Sequence, residues 1–485
     1  MNKEGVLGKS ITSGKWLTFG YILEKLIGLI SFFILAKLLS PADFGIVAFV
    51  LLVPKFLQNA TETGFSAAAI QKQGHIKQYL NPMWTIGVLK SIIIFTFTIF
   101  AGPKIALFFH VEHATLAIQM GGIFIIIQHL SNVGEVYLFK NLDFKKIFIR
   151  NISKQIAYVV TSVTAVLVFK SYWALIIGNL ALYTTQTVST YILHPYRPKL
   201  TLKFNNLKNL FGYSKWIVGQ SWLTQMYSFM ESTLIGHLTN VNSMGLYSKG
   251  KNLAAVIPGF LSSTINTVSF PAYSKLKNTT KKIKGGVQKS FDLFFFFTVP
   301  TAFLIIFAGQ KLIFMLIGEQ WVPMSNVFKL LFIFFTINLI TEITYAVFNA
   351  VGKPDKKVKL EMIKIPTTLL LLFFLTREFG INGSALALIL GSIPIFFISF
   401  HYLVKETGIL YKDFFISFLI PFVLSFLLGL PIYALKDTIL KTDLITFSGI
   451  ILLLGVTYIY LITIIGKKYN QGPYTTLNLL KKYIK

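Results

Sequence analysis

Ionisable and polar side chains recur at helical spacing inside the apolar stretches of this sequence. The stretch from about residue 44 to about residue 71 shows this most clearly, since it carries Lys55, Asn59, Glu62 and Ser66. Their successive spacings of four, three and four place them on one face of a single continuous helix. An ammonium group on such a face can bind phosphate or an acidic sugar, and a carboxylate can take part in ion or proton coupling.

The same types of side chain lie in other apolar stretches. Nine lysines lie within the apolar stretches. Because one lysine at the centre of a lipid-facing helix costs about 2.5–3.5 kcal/mol, most of the nine must face water, protein or substrate. The residues assigned to substrate binding are Lys25, Lys55, Asn59, Lys215, Lys249 and Lys251. The candidates for coupling to an H⁺ or Na⁺ gradient are Glu24, Glu62, Glu231 and Glu342. Pairing of these carboxylates with the lysines is the alternative, and Glu135 with Lys154 is one such candidate ion pair.

Motifs for covalent or metal chemistry are absent from the sequence. There is no cysteine, which excludes disulfides and thiolate metal sites, and there is no GxxxxGK[ST] motif for binding a nucleotide. The two histidines in His110-Val111-Glu112-His113 lack the spacing of a zinc protease, so we predict no metal site and no cofactor. We therefore expect a protein that is not an enzyme.

The elements that position the ionisable residues are membrane helices. Of 485 residues, 54% are hydrophobic and only 13% are charged, and the mean hydropathy is +0.66, which is typical of a polytopic membrane protein. The first apolar stretch is too long for a cleavable signal peptide. We predict an all-α bundle of about fourteen spans, near 16–39, 44–71, 82–101, 114–139, 147–169, 172–193, 209–236, 243–270, 288–309, 322–350, 358–376, 381–403, 413–435 and 444–466.

The positions of the basic residues predict the orientation of these spans. The formal net charge is +28, and 30 of the 46 Lys and Arg residues fall on the termini and on alternate connections. The basic side of a membrane protein faces the cytoplasm, so both termini are predicted to lie inside the cell. The charge is thus explained by topology and by contact with membrane lipid, and no nucleic-acid partner is expected.

An internal repeat appears at an offset of 200 residues. Lys15-Trp16 matches Lys215-Trp216, and Gly45 matches Gly245. We predict a six-helix lobe at 1–200, a second at 201–404, and two further helices with a basic cytoplasmic tail at 405–485. Because each lobe has an even number of spans, the repeats share one orientation, and transporters commonly bind substrate at such a repeat interface.

Several short motifs resemble those of one family. They are Leu39-Ser40-Pro41-Ala42-Asp43-Phe44-Gly45, Glu62-Thr63-Gly64-Phe65, Asp143-Phe144-Lys145-Lys146 and Trp173-Ala174-Leu175. Together they resemble Wzx-type polysaccharide exporters of the MOP superfamily, which also contains MATE antiporters. The resemblance implies a MATE-like fold, a cationic central cleft, and flipping of an undecaprenyl-diphosphate-linked oligosaccharide for O-antigen, capsule or exopolysaccharide synthesis. No residue role is carried over from the family.

The sequence leaves two other functions open. A MATE-like antiporter of small molecules or ions would favour an acidic cleft, and a membrane glycan polymerase or ligase would need a large outer loop. The expected protein is a monomer in the bacterial cytoplasmic membrane, and its expected partners are the lipid-linked oligosaccharide, membrane lipids and other polysaccharide assembly proteins.

Overall fold

The computed structural model describes residues 3–62, 64–72, 74–204, 207–265, 269, 273–274, 280–434 and 443–469, with the side chains of 3–15, 17–18, 208–221, 264, 280–282, 444 and 466–469 outside the description. The described residues are almost entirely helical and contain no strand. They form two compact units, residues 1–245 and residues 246–485. The predicted division into lobes at 1–200, 201–404 and 405–485 stays a prediction.

The first unit is a bundle of long helices that pack both on neighbours in sequence and on helices distant in sequence. Its helices are α1 (Lys3–Leu38), α2 (Pro41–Ala60), α3 (Phe65–Gln71), α4 (Lys77–Phe108), α5 (Thr115–His129), α6 (Val136–Lys140), α7 (Phe144–Phe169), α8 (Trp173–Leu193), α9 (Lys208–Leu238) and the start of α10 (Val241–Ala254). Helix α7 packs on both α1 and α8, α4 packs on α5, and α2 packs on both α5 and α9.

The second unit is built in the same way around an aromatic core. Buried phenylalanines, among them Phe291, Phe294 and Phe295, fill the space where its helices meet. Its helices are the rest of α10, α11 (Val256–Thr264), α12 (Thr280–Ile317), α13 (Met324–Ala350), α14 (Pro354–Thr407), α15 (Tyr411–Ala434) and α16 (Leu444–Tyr469).

Helix α14 is two antiparallel helices joined by a sharp bend. Gly380 has φ 56° and ψ −141°, a conformation that glycine adopts without a Cβ clash. After the bend the chain turns back on itself, so that a Cβ on Gly383 would lie 1.8 Å from the carbonyl oxygen of Leu375. The hydroxyls of Thr376 and Ser384 are 2.9 Å apart across the bend. The element thus covers two predicted spans, 358–376 and 381–403.

The chain is a multi-pass membrane protein of the all-α class, as predicted. In the described part of the chain nine helices are long and apolar enough to cross a membrane, or ten with the bent pair Glu112–His129 and Val133–Lys140 counted as one span. The number fourteen stays a prediction. The single helix expected over 44–71 is wrong, because α2 ends at Ala60 and α3 begins at Phe65. Gly64 lies between them with φ 66° and interrupts the helical geometry.

The turn between α1 and α2 is held by a capping box. The backbone N–H of Ser40 donates to Asp43 Oδ2 at 2.9 Å, and the backbone N–H of Asp43 donates to Ser40 Oγ at 3.3 Å. The other carboxylate oxygen, Oδ1, accepts from the backbone N–H of Tyr172 at 2.8 Å, just before α8. Asp43 therefore joins two turns that are distant in sequence, the turn before α2 and the turn before α8.

Removing this carboxylate is expected to destabilise the first unit. Asp43→Ala leaves three N–H or O–H donors without their acceptor, and loss of a helix cap alone costs about 0.5–2 kcal/mol. We expect the detergent-solubilised variant to lose its monodisperse chromatographic peak at a lower temperature than the wild type. Asp355→Ala is the control, because the ion pair that Asp355 makes within the described residues is with the exposed Lys359. Equal thermal stability of the two variants would contradict this account.

Candidate functional site

The polar face of α2 lies beside α9. Asn59 Nδ2 donates a hydrogen bond to Gln225 Oε1 at 2.9 Å, and the rings of Phe56 and Phe229 stack with centroids 4.0 Å apart. Lys55 lies one helical turn before Asn59 and has an exposed side chain. Among the described residues its ammonium has no hydrogen-bond or ion-pair partner. This arrangement leaves a cation available to an anionic group beside a fixed amide pair.

The two ionisable residues of α1 have different surroundings. Glu24 Oε1 lies 3.4 Å from Lys154 Nζ on α7, and both side chains are partly exposed. Lys25 is exposed, and its Nζ lies 5.5 Å from the ring centroid of Tyr21, within cation–π range. In the described part of the chain no carboxylate lies within 4.0 Å of Lys25 Nζ. Lys25 therefore keeps its positive charge available, whereas that of Lys154 is balanced by Glu24.

The candidate ion pair between Glu135 and Lys154 is wrong. Glu135 Oε2 instead accepts from Arg150 Nη1 at 2.5 Å, one helical turn before Lys154 on the same face of α7. Glu135 lies in the short helical turn Val133–Glu135, close to the start of α7, where Arg150 reaches it first. Lys154, one turn deeper, is left to pair with Glu24.

Glu62 lies in the break between α2 and α3, away from the helical face predicted for it. Its Oε1 accepts from the backbone N–H of Gly64 at 3.4 Å. Lys90 on α4 donates to the carbonyl oxygens of Gln58 and Thr61 at 3.4 and 3.2 Å. A lysine at this place satisfies carbonyl groups that a helix C-terminus leaves without intrahelical partners. The break thus exposes Glu62 and brings a lysine from another helix next to it.

The starts of α2 and α10 touch backbone to backbone at two glycines. A Cβ on Gly45 would lie 2.0 Å from the carbonyl oxygen of Val241, and a Cβ on Gly245 would lie 1.8 Å from that of Pro41. The backbone nitrogen of each glycine is 3.1 Å from the Cβ position of the other. Because these atoms belong to the main chain, no rotamer change can make room for a side chain. The glycines that mark the sequence repeat are therefore required by this close approach.

The predicted residues of the second unit form separate groups there. Lys249 and Lys251 are half-buried on α10, and Lys251 Nζ lies 5.9 Å from the ring centroid of Tyr247. Glu342 on α13 is half-buried and interacts electrostatically with the charged residues Lys357, Glu361 and Lys364. Lys364 Nζ donates to Asn338 Oδ1 at 2.6 Å. Glu342 thus belongs to a charge network made by α13 and the first half of α14.

Two of the predicted site residues, Glu231 and Lys215, lie on α9. Glu231 is buried, with 2% of its surface exposed, while the side chain of Lys215 lies outside the described residues. The sequence reasoning missed Gln225, the partner of Asn59. The signal for it is present, since Gln225 is an amide in an apolar stretch, but only the structure shows which helix face meets α2.

Comparison with known proteins agrees with the architecture. The family described as "Polysaccharide biosynthesis protein" matches residues 34–326, more than half of the chain. An "Uncharacterized membrane protein in cps region" of Klebsiella pneumoniae is 22% identical over 467 residues, 95% of this chain and 96% of that protein. "Lipopolysaccharide biosynthesis protein WzxC" of Escherichia coli K12 is 20% identical over 428 residues, 86% of this chain and 85% of WzxC.

A solved structure shows the same fold. "Lipid II flippase MurJ, inward closed conformation" superposes with a TM-score of 0.75 at 16% identity, covering 93% of this chain and 99% of that chain. At this identity the likeness concerns the fold alone. The match over residues 34–326 establishes the family: the chain is a multi-pass membrane protein that belongs to the polysaccharide biosynthesis protein family.

Proposed function

We propose that the protein flips an undecaprenyl-diphosphate-linked oligosaccharide across the bacterial cytoplasmic membrane, from the cytoplasmic to the outer leaflet. The observation that carries the proposal is the pair of exposed lysines Lys25 and Lys55, which lie in apolar helices with no carboxylate partner among the described residues. An exposed ammonium binds phosphate well. A route lined by such cations suits a diphosphate-linked cargo and disfavours a small organic cation.

The family supports the same assignment. The names of its relatives concern lipopolysaccharide, O-antigen and succinoglycan, and the solved structure with the same fold is that of a lipid II flippase. The glycan product proposed here is accordingly O-antigen, capsule or exopolysaccharide. In this proposal the protein is a transporter that catalyses no covalent step, and it acts as a monomer beside other assembly proteins.

The proposed orientation follows the positive-inside rule. Both termini face the cytoplasm, and so do the basic connections around Lys72, Lys140 and Arg150. The glycan and its diphosphate enter from this side, while the polyprenyl chain stays in the bilayer. Lys55 and Lys25 receive the diphosphate, with Lys249, Lys251 and Lys215 contributing positive charge on the helices of the second repeat.

Transport then requires the two ends of the route to open in turn. In the proposed mechanism the glycine contact between the starts of α2 and α10 keeps the outer end closed and separates when the cargo is released outside. An H⁺ or Na⁺ gradient is proposed to drive the cycle through the carboxylates Glu24, Glu62, Glu231 and Glu342. Protonation of Glu24, for example, would release Lys154 from its ion pair.

Deletion of the gene tests the function in cells. We expect a lipid-linked oligosaccharide to accumulate, and we expect it to remain in the cytoplasmic leaflet, where an enzyme added outside spheroplasts cannot cleave it. Re-expression of the full chain should remove the accumulated intermediate. Normal surface polysaccharide in the deletion strain, with no accumulated lipid-linked glycan, would contradict the proposal. It would favour the alternative function, a MATE-like antiporter of small molecules or ions.

A further inference from the structure

A polar cavity of about 300 Å³ lies inside the first unit, and the residues described in its lining do not include Lys25 or Lys55, the two lysines proposed to receive the diphosphate. Its walls come from the end of α2, from α3 and α4, from the α5–α6 break and from α8. Drug-sized ligand pockets start at about this volume. The polar side chains in its wall include Gln58, Glu62, Trp84, Lys90, His129 and Gln186.

Two side chains of the cavity wall each carry a buried nitrogen atom that has no hydrogen-bond partner among the described residues. These atoms are Nε1 of the Trp84 indole and Nε2 of the His129 imidazole. A buried polar atom without a partner loses its hydrogen bonds to water with no compensation, so native proteins rarely leave one unless water or a ligand completes it. Finding two in the wall of one polar cavity indicates a missing partner with several hydrogen-bonding atoms.

The charges in the wall are largely balanced within the protein. Glu135 is paired with Arg150, and Lys90 already donates to the carbonyl oxygens of Gln58 and Thr61 and faces the nearby carboxylate of Glu62. A phosphate would need uncompensated positive charge, which this wall does not offer. The ligand that fits is therefore close to neutral.

The amides of the wall can both donate and accept. Gln58 Nε2 already donates to Gln128 Oε1 at 3.1 Å, while Gln186 from α8 faces the same cavity. The hydroxyls of a sugar ring both donate and accept hydrogen bonds, as the amides of this wall do. The wall also offers a carboxylate as an acceptor for hydroxyls and an aromatic ring that can contact the apolar face of a sugar. Asn132 is different, because its side chain is fully used in holding the backbone at Gly134, His194 and Tyr196.

We infer that this cavity binds a near-neutral, hydroxyl-rich sugar ring of the lipid-linked glycan. The inference rests on the proposed function, and it adds a separate subsite for the glycan to the diphosphate site formed by the lysines. Under the proposed orientation the cavity lies toward the cytoplasmic side, since its wall adjoins the basic connection that contains Lys72, whose carbonyl oxygen accepts from Lys140. The sugar is therefore recognised before it crosses the membrane.

Binding by the purified full chain in lipid nanodiscs tests this inference with two probes. The first is the lipid-linked glycan isolated from the deletion strain, and the second is undecaprenyl diphosphate without a sugar. Trp84→Phe removes the indole N–H and keeps an aromatic ring, so we expect it to weaken binding of the first probe about tenfold and to leave the second unchanged. Gln186→Leu, a second variant of similar volume, is expected to behave in the same way.

The control and the outcomes separate this inference from the proposed function. Trp173→Phe makes the same change at the start of α8, 13 residues before the cavity residue Gln186, and should alter neither affinity. A wild-type protein that binds neither probe would contradict the proposed function. Unchanged binding of the glycan-linked probe by both cavity variants would leave that function standing and assign the cavity to ordered water. Equal weakening of both probes would also overturn the sugar assignment.

Discussion

Replacing Gly45 with alanine is expected to lower transport about 10- to 100-fold. The new methyl group would lie 2.0 Å from the carbonyl oxygen of Val241, so the starts of α2 and α10 must move apart. Overpacking of this kind costs about 1–3 kcal/mol, and each 1.4 kcal/mol changes a conformational equilibrium about tenfold. Under the proposed mechanism, the substitution therefore disfavours the state in which the outer end is closed and the cytoplasmic end accepts cargo. Gly245→Ala is expected to have the same effect, since its Cβ would lie 1.8 Å from the Pro41 carbonyl oxygen.

The measurement is restoration of surface polysaccharide in the deletion strain, with each variant quantified in the membrane. Gly449→Ala is the matched control, because a Cβ there meets no atom within 4 Å, and it should restore polysaccharide fully. Loss of function in Gly45→Ala with normal membrane content indicates a conformational defect. Full activity of both Gly45→Ala and Gly245→Ala would show that this contact does not have to form during transport.

Neutralising Lys55 is expected to reduce flipping about 10- to 100-fold. Hydrogen bonds to a charged group contribute about 1.5–3 kcal/mol, and Lys55 is exposed with no competing partner among the described residues. Lys55→Gln removes the charge and keeps a polar side chain of similar length, while Lys55→Arg keeps the charge and should retain part of the activity. Lys25→Gln is expected to give a smaller loss, because Lys25 is also held over the ring of Tyr21.

The variants are compared by the amount of lipid-linked glycan that accumulates in cells. Lys359→Gln removes the same charge from an exposed position that pairs with Asp355, and we expect it to behave as the wild type. Lys251→Gln extends the comparison to the second unit. Wild-type flipping by Lys25→Gln, Lys55→Gln and Lys251→Gln, each at normal membrane content, would remove the basis for a cationic route.

The sequence predicted those features that depend on strong local signals. Apolar stretches of sufficient length predicted membrane helices, and the span predicted from about residue 44 begins close to α2, which starts at Pro41 after the Ser40–Asp43 cap. The repeat at an offset of 200 is visible because the starts of α2 and α10 each contain a glycine, Gly45 and Gly245. The start of α10 is also capped, since Asn240 Oδ1 accepts from the backbone N–H of Ser243 at 2.8 Å. Main-chain contacts of this kind tolerate few residue types.

Features that depend on the direction in which a helix faces could not be predicted in the same way. Glu135 and Lys154 lie in consecutive predicted helices, yet the carboxylate meets Arg150 first. The helix expected over 44–71 is instead two helices, α2 ending at Ala60 and α3 beginning at Phe65. Gly64, just before α3, adopts a left-handed conformation, which periodicity does not reveal. The partner of Asn59 depends on the packing of α9 against α2, and a single sequence contains no information on that packing.

Direct transfer of lipid-linked glycan in a purified system tests the central claim. The full chain is reconstituted into liposomes with the labelled lipid-linked glycan isolated from the deletion strain, and membrane-impermeant periodate reports the fraction of glycan in the outer leaflet over time. We predict that the wild-type protein moves glycan between leaflets and that the double variant Lys25→Gln, Lys55→Gln does so much more slowly. Transfer no faster than in protein-free liposomes, or a double variant as fast as the wild type, would contradict a cationic route for a lipid-linked glycan.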